Sequence, residues 1–184
     1  MSQLVMHTET LVPLCLEGDQ AAQMELYRRY YKAMYNVALR IVKKSEDAED
    51  IMQESFLKAF TKLHTFRGEV TFGAWLKRIV INRSIHYYRK NQKSGEIRLD
   101  EVLYKVEDHE GYVPEHEESE LKAQKVLAAM QGLKDNYRIS LTLHLIEGYD
   151  YEEICGIMDI SYANCRTTIS RAKESLRKKL LKLN

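Results

Sequence analysis

With 184 residues and 45% apolar content, the chain can build one ordinary domain or two small ones, and disorder throughout is excluded. Two prolines, eight glycines and few β-branched runs point to an almost all-helical protein. The formal net charge of +1 argues against a simple nucleic-acid coat protein, but the average hides a segregation of charge along the chain.

Cys15, Cys155 and Cys165 are odd in number and lack CxxC spacing, so they read as reduced core thiols rather than a disulfide framework or a zinc site. No basic leader, signal-length apolar core or membrane-length apolar run occurs, so the expected protein is soluble and cytoplasmic, with no direct membrane insertion.

Residues 9–17 form a short expected helix stopped by Gly18, and Asp19 can cap the next. In that second helix Met24, Tyr27, Tyr30, Tyr31, Met34, Tyr35, Ala38 and Ile41 keep helical spacing, with the tyrosines as core and boundary residues. Ser45 is the expected cap of a third helix, where Ala48, Ile51, Met52, Ser55, Phe56, Ala59, Phe60 and Leu63 form an unbroken stripe. That stripe commits Asp47, Glu49, Asp50, Gln53 and Glu54 to an outward anionic patch. The patch reads equally as compensation of the helix dipole or as a partner surface.

Residues 64–70 make a short connection containing Phe66, Arg67 and Gly68. A loop of this composition can hold a base turned out of its stack, or it can be an ordinary helix connection with a buried Phe66. Thr71 then caps a helix running to Lys93, roughly 33 Å long at 1.5 Å per residue. Phe72, Trp75, Leu76, Ile79 and Val80 form its expected buried stripe. Lys77, Arg78, Arg83, Arg89, Lys90 and Lys93 meet no acid, Trp75, Tyr87 and Tyr88 lie among them, and Asn82 sits in the middle. Cations that release counterions from phosphates, beside rings that accept unstacked bases, suit nucleic acid; a solvated basic helix is the plainer alternative.

From residue 94 to 120 acids dominate, with only Arg98 and Lys105 opposing them, and Gly95, Gly111 and Pro114 break helices. This reads as a flexible acidic linker between a domain at 1–93 and a domain at 121–184. His109 and His116 are too isolated to suggest a metal. Beyond it, Ala123, Val126, Leu127 and Met130 line one expected helix, and Leu133, Tyr137, Leu141, His144 and Leu145 a second that runs to Gly148. His144 reads as a satisfied boundary histidine rather than a catalyst.

Asp150 and Glu153 form a D-x-x-E capping box for a short helix with Ile154, Cys155 and Met158 inward. Asp159-Ile160-Ser161 is a tight turn, and Ser161 caps a last helix burying Cys165, Ile169, Ala172, Leu176 and Leu180. Short helix, tight turn and longer basic helix describe a helix-turn-helix, the alternative being a helical hairpin with a basic surface. Its exposed residues would be Asn164, Arg166, Thr167, Ser170, Arg171 and Lys173, of which Arg suits guanine edges and phosphates and Asn suits adenine.

The run DAEDIMQESFLKAFTKLHTFRGEVTFGAWLKRIVINRSIHYYRK resembles region 2 of the extracytoplasmic-function (ECF) sigma factors, and DYEEICGIMDISYANCRTTISRAKESLRKKL resembles their region 4. The resemblance implies two helical domains of a dissociable subunit of bacterial RNA polymerase, with no catalysis and no cofactor. It implies that Asp47, Glu49, Asp50, Gln53 and Glu54 dock on the clamp helices of the core enzyme. It further implies that Phe66, Arg67, Gly68, Phe72, Trp75, Arg78, Asn82, Arg83 and Tyr87 capture the melted −10 element of promoter DNA. The six residues on the last helix would read the −35 element as duplex, the linker would thread the polymerase channel, and an anti-sigma protein is a further implied partner. The chain departs from the family at Cys155, where Ala is usual, at Asp159, where Gly is usual, and at Thr168, where a second cation is common. A DNA-binding regulator that acts without polymerase would explain the helix-turn-helix alone, and no nucleophile, metal cluster or phosphate loop supports an enzyme.

Overall fold

The computed structural model describes residues 7–93 and 117–182. These residues form eight α-helices, one 3-10 turn and one π turn, and no strand occurs among them. Contacts divide the chain into two units, residues 1–98 and 99–184.

In the first unit α1 is Thr8–Leu16, α2 Gln20–Val42, α3 Ser45–Thr61 and α4 Phe72–Lys93. The reversal between α1 and α2 uses Gly18 at φ +87°. The Asp19 carboxylate then accepts from Ala21 N at 2.8 Å and Ala22 N at 3.0 Å, so α2 starts where a cap was expected. Helix α3 differs. Its N-cap is Lys44, without a side-chain bond, and Ser45 is already the first helical residue. Lys43 turns the chain at φ 69°, and Ala48 N bonds Lys44 O at 2.9 Å, so the bend comes two residues earlier than the serine suggests. Thr71 caps α4 as expected, its hydroxyl accepting from Ala74 N at 3.3 Å.

Helices α2, α3 and α4 pack against one another in all three pairings, and α1 lies on α2 and on the 3-10 turn Leu63–Thr65. The shared core holds Leu26, Ala38, Ile41, Ala48, Phe56, Ala59, Leu76, Val80 and Ile81. Each fully buried large aliphatic side chain contributes about 1.5–3 kcal/mol. Ser55 and Ser84 are buried too, their hydroxyls returned to Ile51 O at 2.6 Å and Val80 O at 2.8 Å, so neither leaves an unmet donor. The stripe of α4 is shifted from expectation. Phe72, Leu76 and Val80 are buried and continue to Ile81, Ser84 and Ile85, while Trp75 and Ile79 are only half-buried.

In the second unit α5 is Glu117–Gln131, α6 Asp135–Leu141, α7 Tyr151–Met158 and α8 Tyr162–Leu181, with α8 packed on the other three. Helix α5 begins at Glu117, inside the segment assigned to the linker by composition; residues 94–116 lie outside the described residues. On α5 the buried positions are Ala129 and Met130, with Ala123 exposed. The single helix expected from Leu133 to Gly148 is instead α6 followed by a π turn, Thr142–Ile146, closed by Glu147 N to Thr142 O at 3.0 Å. Residues 138–143 are buried without a break, so this stretch is enclosed on every side instead of striped. Arg138 lies among them, 1% exposed and ion-paired with Asp135 at 3.1 Å.

Helix α7 carries the full capping box, Glu153 N to Asp150 Oδ1 at 2.8 Å and Asp150 N to Glu153 Oε2 at 3.0 Å. It buries Ile154 and Ile157; Cys155 and Met158, expected inward, are half-buried. Asp159 takes the left-handed conformation at φ 48°, which the usual glycine would reach more easily and which aspartate tolerates. Ser161 then caps α8 from Asn164 N at 3.3 Å. All three cysteines are free thiols. Burial, with Asp19 adding to it, raises Cys15, and burial beside Cys155 pushes Cys165 up to about 11.

Candidate nucleic-acid interface

Phe72, at the start of α4, is 3% exposed and anchors the loop before it. Its ring meets Tyr30 at 5.5 Å, Phe66 edge-on at 6.0 Å and Trp75 at 5.9 Å, and Phe66 lies 5.3 Å from Trp75. Phe72 is therefore a support: of the aromatic residues expected at a base, it is too deep to touch one. Phe66 and Trp75 are half-buried and offer part of their rings, while Arg67 and Gly68 are exposed, Gly68 at φ +72°. Gly73 lets Tyr30 close over the helix start, since a Cβ there would stand 2.7 Å from Tyr30 Cε1. The Tyr30 hydroxyl in turn shares a 3.2 Å hydrogen bond with Thr8 of α1.

Further along α4, Asn82 is exposed, and Arg78, Arg83 and Tyr87 are half-exposed. Arg83 is ion-paired with Glu54 of α3. Burial raises the Tyr87 hydroxyl pKa, and a hydrogen bond to Asp47 adds to the shift. The acidic and basic faces expected from the sequence are thus neighbours joined side chain to side chain. On α3 itself Glu49, Asp50, Gln53 and Glu54 are exposed and Asp47 is half-buried, with Gln53 Nε2 donating to Glu49 Oε1 at 3.2 Å. Leu57, one turn beyond Gln53, is 68% exposed and extends this face with an apolar end. The sequence stripe could have found it, because Leu57 is the large aliphatic residue of α3 that falls off the buried spacing.

On α8, Asn164, Arg166, Thr167, Ser170 and Arg171 are exposed, and Lys173 is half-buried with its ammonium 3.4 Å from His144 Nε2. Two more of these side chains are engaged. Thr167 donates to Ala163 O at 2.8 Å, and the Asn164 amide oxygen accepts from Thr168 at 3.2 Å, so the NH₂ is the part of Asn164 left to donate. Tyr162, the first residue of α8, is 53% exposed with its ring 6.1 Å from that of Tyr151. Sequence reasoning passed over it, although an aromatic directly after a capping serine was the available signal. Among the described residues no cluster of His, Cys, Asp or Glu could hold a metal ion, and no helix is long and apolar enough to cross a membrane.

The Sigma-70 region 2 family matches residues 26–94 and the Sigma-70 region 4 family matches residues 123–176. The ECF RNA polymerase sigma-E factor of Haemophilus influenzae is 33% identical over 180 residues, which cover 94% of each chain. The chain belongs to the ECF sigma factors.

The sigma-E factor of Escherichia coli K12 is 31% identical over 179 residues, 94% of this chain and 93% of that one. Among solved structures, the sigma factor RpoE of Bartonella quintana, bound to the anti-sigma factor NepR, shares the fold with a TM-score of 0.60. That likeness covers 88% of this ECF sigma factor and 97% of RpoE at 23% identity. CnrH, solved with the cytosolic domain of CnrY, gives a TM-score of 0.55 at 23% identity, over 95% of this chain and 97% of its own. As an ECF sigma factor, the protein directs core RNA polymerase to promoters for the start of transcription. The region 2 match contains both α3 and α4, and the region 4 match contains α7 and the exposed start of α8.

Proposed function

We propose that this sigma factor divides promoter recognition between its two units. The first holds the opened −10 strand on α4 and the loop before it: Phe66 and Trp75 offer ring surface to an unstacked base, with Phe72 behind them. Arg67, Arg78 and Arg83 neutralise phosphates, Tyr87 borders them, Asn82 reads base edges, and Gly68 gives the loop its turn. The second places the start of α8 in the major groove of the −35 duplex, where Arg166 and Arg171 reach guanine edges or phosphates and Asn164, Thr167, Ser170 and Lys173 complete the contact. Asp47, Glu49, Asp50, Gln53 and Glu54 dock on the clamp helices of core polymerase, and an anti-sigma protein is a further partner that covers these surfaces.

The observation that carries the reading is the exposed Asn82 two turns along α4 from a Phe66–Trp75 platform that is itself braced by a buried Phe72. Duplex opening requires unstacking free energy, so a surface that binds the separated strand better than the duplex shifts the equilibrium toward the open state. The chain contributes binding and performs no covalent step, and its workplace is the cytoplasm, where the core enzyme is. Transcription in vitro with core enzyme on a promoter library tests this directly: specific initiation that depends on the chain supports it. DNA binding without association with core polymerase would instead support a regulator that acts alone.

A further inference from the structure

Lys173 lies three turns into α8, and its ammonium is 3.4 Å from His144 Nε2. On the other side of the imidazole, Nδ1 is 3.1 Å from the carbonyl oxygen of Tyr149. A carbonyl oxygen only accepts, so Nδ1 carries the ring proton; an ammonium only donates, so Nε2 offers its lone pair. One neutral tautomer satisfies both contacts at once. The ring is also held from α7, with the Tyr151 ring centroid 5.1 Å away, and it stands on the π turn that follows the enclosed end of α6.

Lys173 faces an open cleft of about 620 Å³ whose walls include Tyr137, Ser170, Arg171, Arg177 and Lys178. The acid on that wall, Glu174, is ion-paired with Arg177 at 2.6 Å and Lys178 at 3.7 Å. Lys173 is held differently. Its partner His144 is a neutral acceptor, which fixes the direction of the side chain while leaving its full positive charge for an anion. A lysine ordinarily loses much rotamer freedom when it is immobilised at a phosphate, and one that is aimed in advance loses less.

We propose that His144 is a positioning residue: it holds the Lys173 ammonium toward a backbone phosphate of the duplex bound by α8. This rests on α8 as the duplex-binding helix and adds a residue from outside the helix-turn-helix to that interface. The contact is to phosphate, so it is independent of sequence and can be measured on any duplex.

Two measurements on the full chain test it. The first needs no DNA. Nitrogen-15 NMR of the histidine rings at pH 8 should show His144 with its proton on Nδ1, and a proton on Nε2 overturns the proposal. The second titrates a random-sequence duplex of about 30 base pairs across a salt series, where one lost phosphate contact lowers the log–log slope by about 0.9. Lys173→Ala and His144→Leu should both show that loss, and the double variant should show no more. His144→Gln should keep the wild-type slope, because its amide oxygen accepts from Lys173 while its NH₂ donates to Tyr149. A normal slope for His144→Leu with a reduced one for Lys173→Ala removes His144 from the interface, as does a folded His144→Gln as impaired as the leucine variant. A wild-type chain that fails to bind duplex at low salt sinks the assignment of α8 itself, whatever the NMR result.

Discussion

Arg83, midway along α4, is ion-paired with Glu54 of α3, and one turn further the Tyr87 pKa is raised by burial with Asp47 of α3 adding to the shift. These interactions join the face proposed for polymerase to the face proposed for the melted strand. A partner seated on α3 would therefore act on side chains that interact with those proposed to bind DNA.

The Arg83–Glu54 pair is partly solvated, with side chains 30% and 59% exposed, so it contributes at most about 1 kcal/mol to folding. Glu54→Gln should leave the urea midpoint nearly unchanged and lower affinity for core polymerase severalfold in a competition assay. A destabilised variant that still binds polymerase normally would reverse the assignment and make Glu54 a structural residue.

Gly73→Ala puts a methyl group 2.7 Å from a ring carbon of Tyr30, whose ring is packed on Phe72. The ring must move, at a cost of about 1–3 kcal/mol, against a gain in helix propensity of at most about 1 kcal/mol. The platform of Phe66 and Trp75 loses its backing as a result. The variant should melt a few degrees lower and open promoters poorly while binding −35 duplex as the wild type does. Unimpaired opening would show that Phe72 does not support the platform.

Arg171 and Tyr162 are both exposed on the first three turns of α8. If Arg171 reaches a guanine edge, Arg171→Ala should weaken specific duplex binding by about 1–3 kcal/mol and relax selectivity at one base pair. If Tyr162 meets the sugar–phosphate backbone, Tyr162→Ala should weaken binding to specific and scrambled duplex alike. Fluorescence anisotropy on both duplexes separates the two, and wild-type affinity for either variant removes that residue from the interface.

The acid–base behaviour of Cys165 gives a test of the packing between α7 and α8. Its ordinary value is 9.0, and burial, with Cys155 adding to it, pushes it up to about 11. Below pH 9 the thiol is protonated in both folded and unfolded chains, so the stability linked to it is fully present. Between pH 9 and about 11 the unfolded chain gives up the proton first, and that stability is lost as pH rises. Urea denaturation should therefore show a steeper decline over this interval for the wild type than for Cys165→Ala. Tyr87 is raised from 10.0 and titrates in both proteins, so the difference between them isolates the thiol. Parallel declines would mean that Cys165 is solvated in the folded state.

The features legible from the sequence were the local ones. Asp19, Thr71, Asp150 and Ser161 bond to amides two or three residues away, so the cap is written within a few letters of the helix it starts. Ser45 misled because Lys43, a residue with no preference for positive φ, makes the turn. The α3 stripe was readable because one face meets both of its neighbours, but the buried faces of α5 and α7 depend on where α8 passes, and that is not encoded in their own spacing. The same holds for Arg83–Glu54 and His144–Lys173, whose partners are 29 residues apart in each case and meet only after folding. Phe72 was assigned to the DNA surface from its place in the sequence block, and the fold spends it on the core. The two-domain, helical architecture and the region 2 and region 4 blocks were readable because composition and motif order specify them without any contact being known.

Asn82 is the exposed residue of α4 proposed to read the separated strand. Permanganate footprinting of a promoter with core polymerase and the Asn82→Ala variant should show unreactive thymines across the −10 region, while co-purification with the core enzyme and binding to −35 duplex stay at wild-type levels. Thymines as reactive as those opened by the wild type would contradict the account, because α4 would then not be the surface that holds the separated strand.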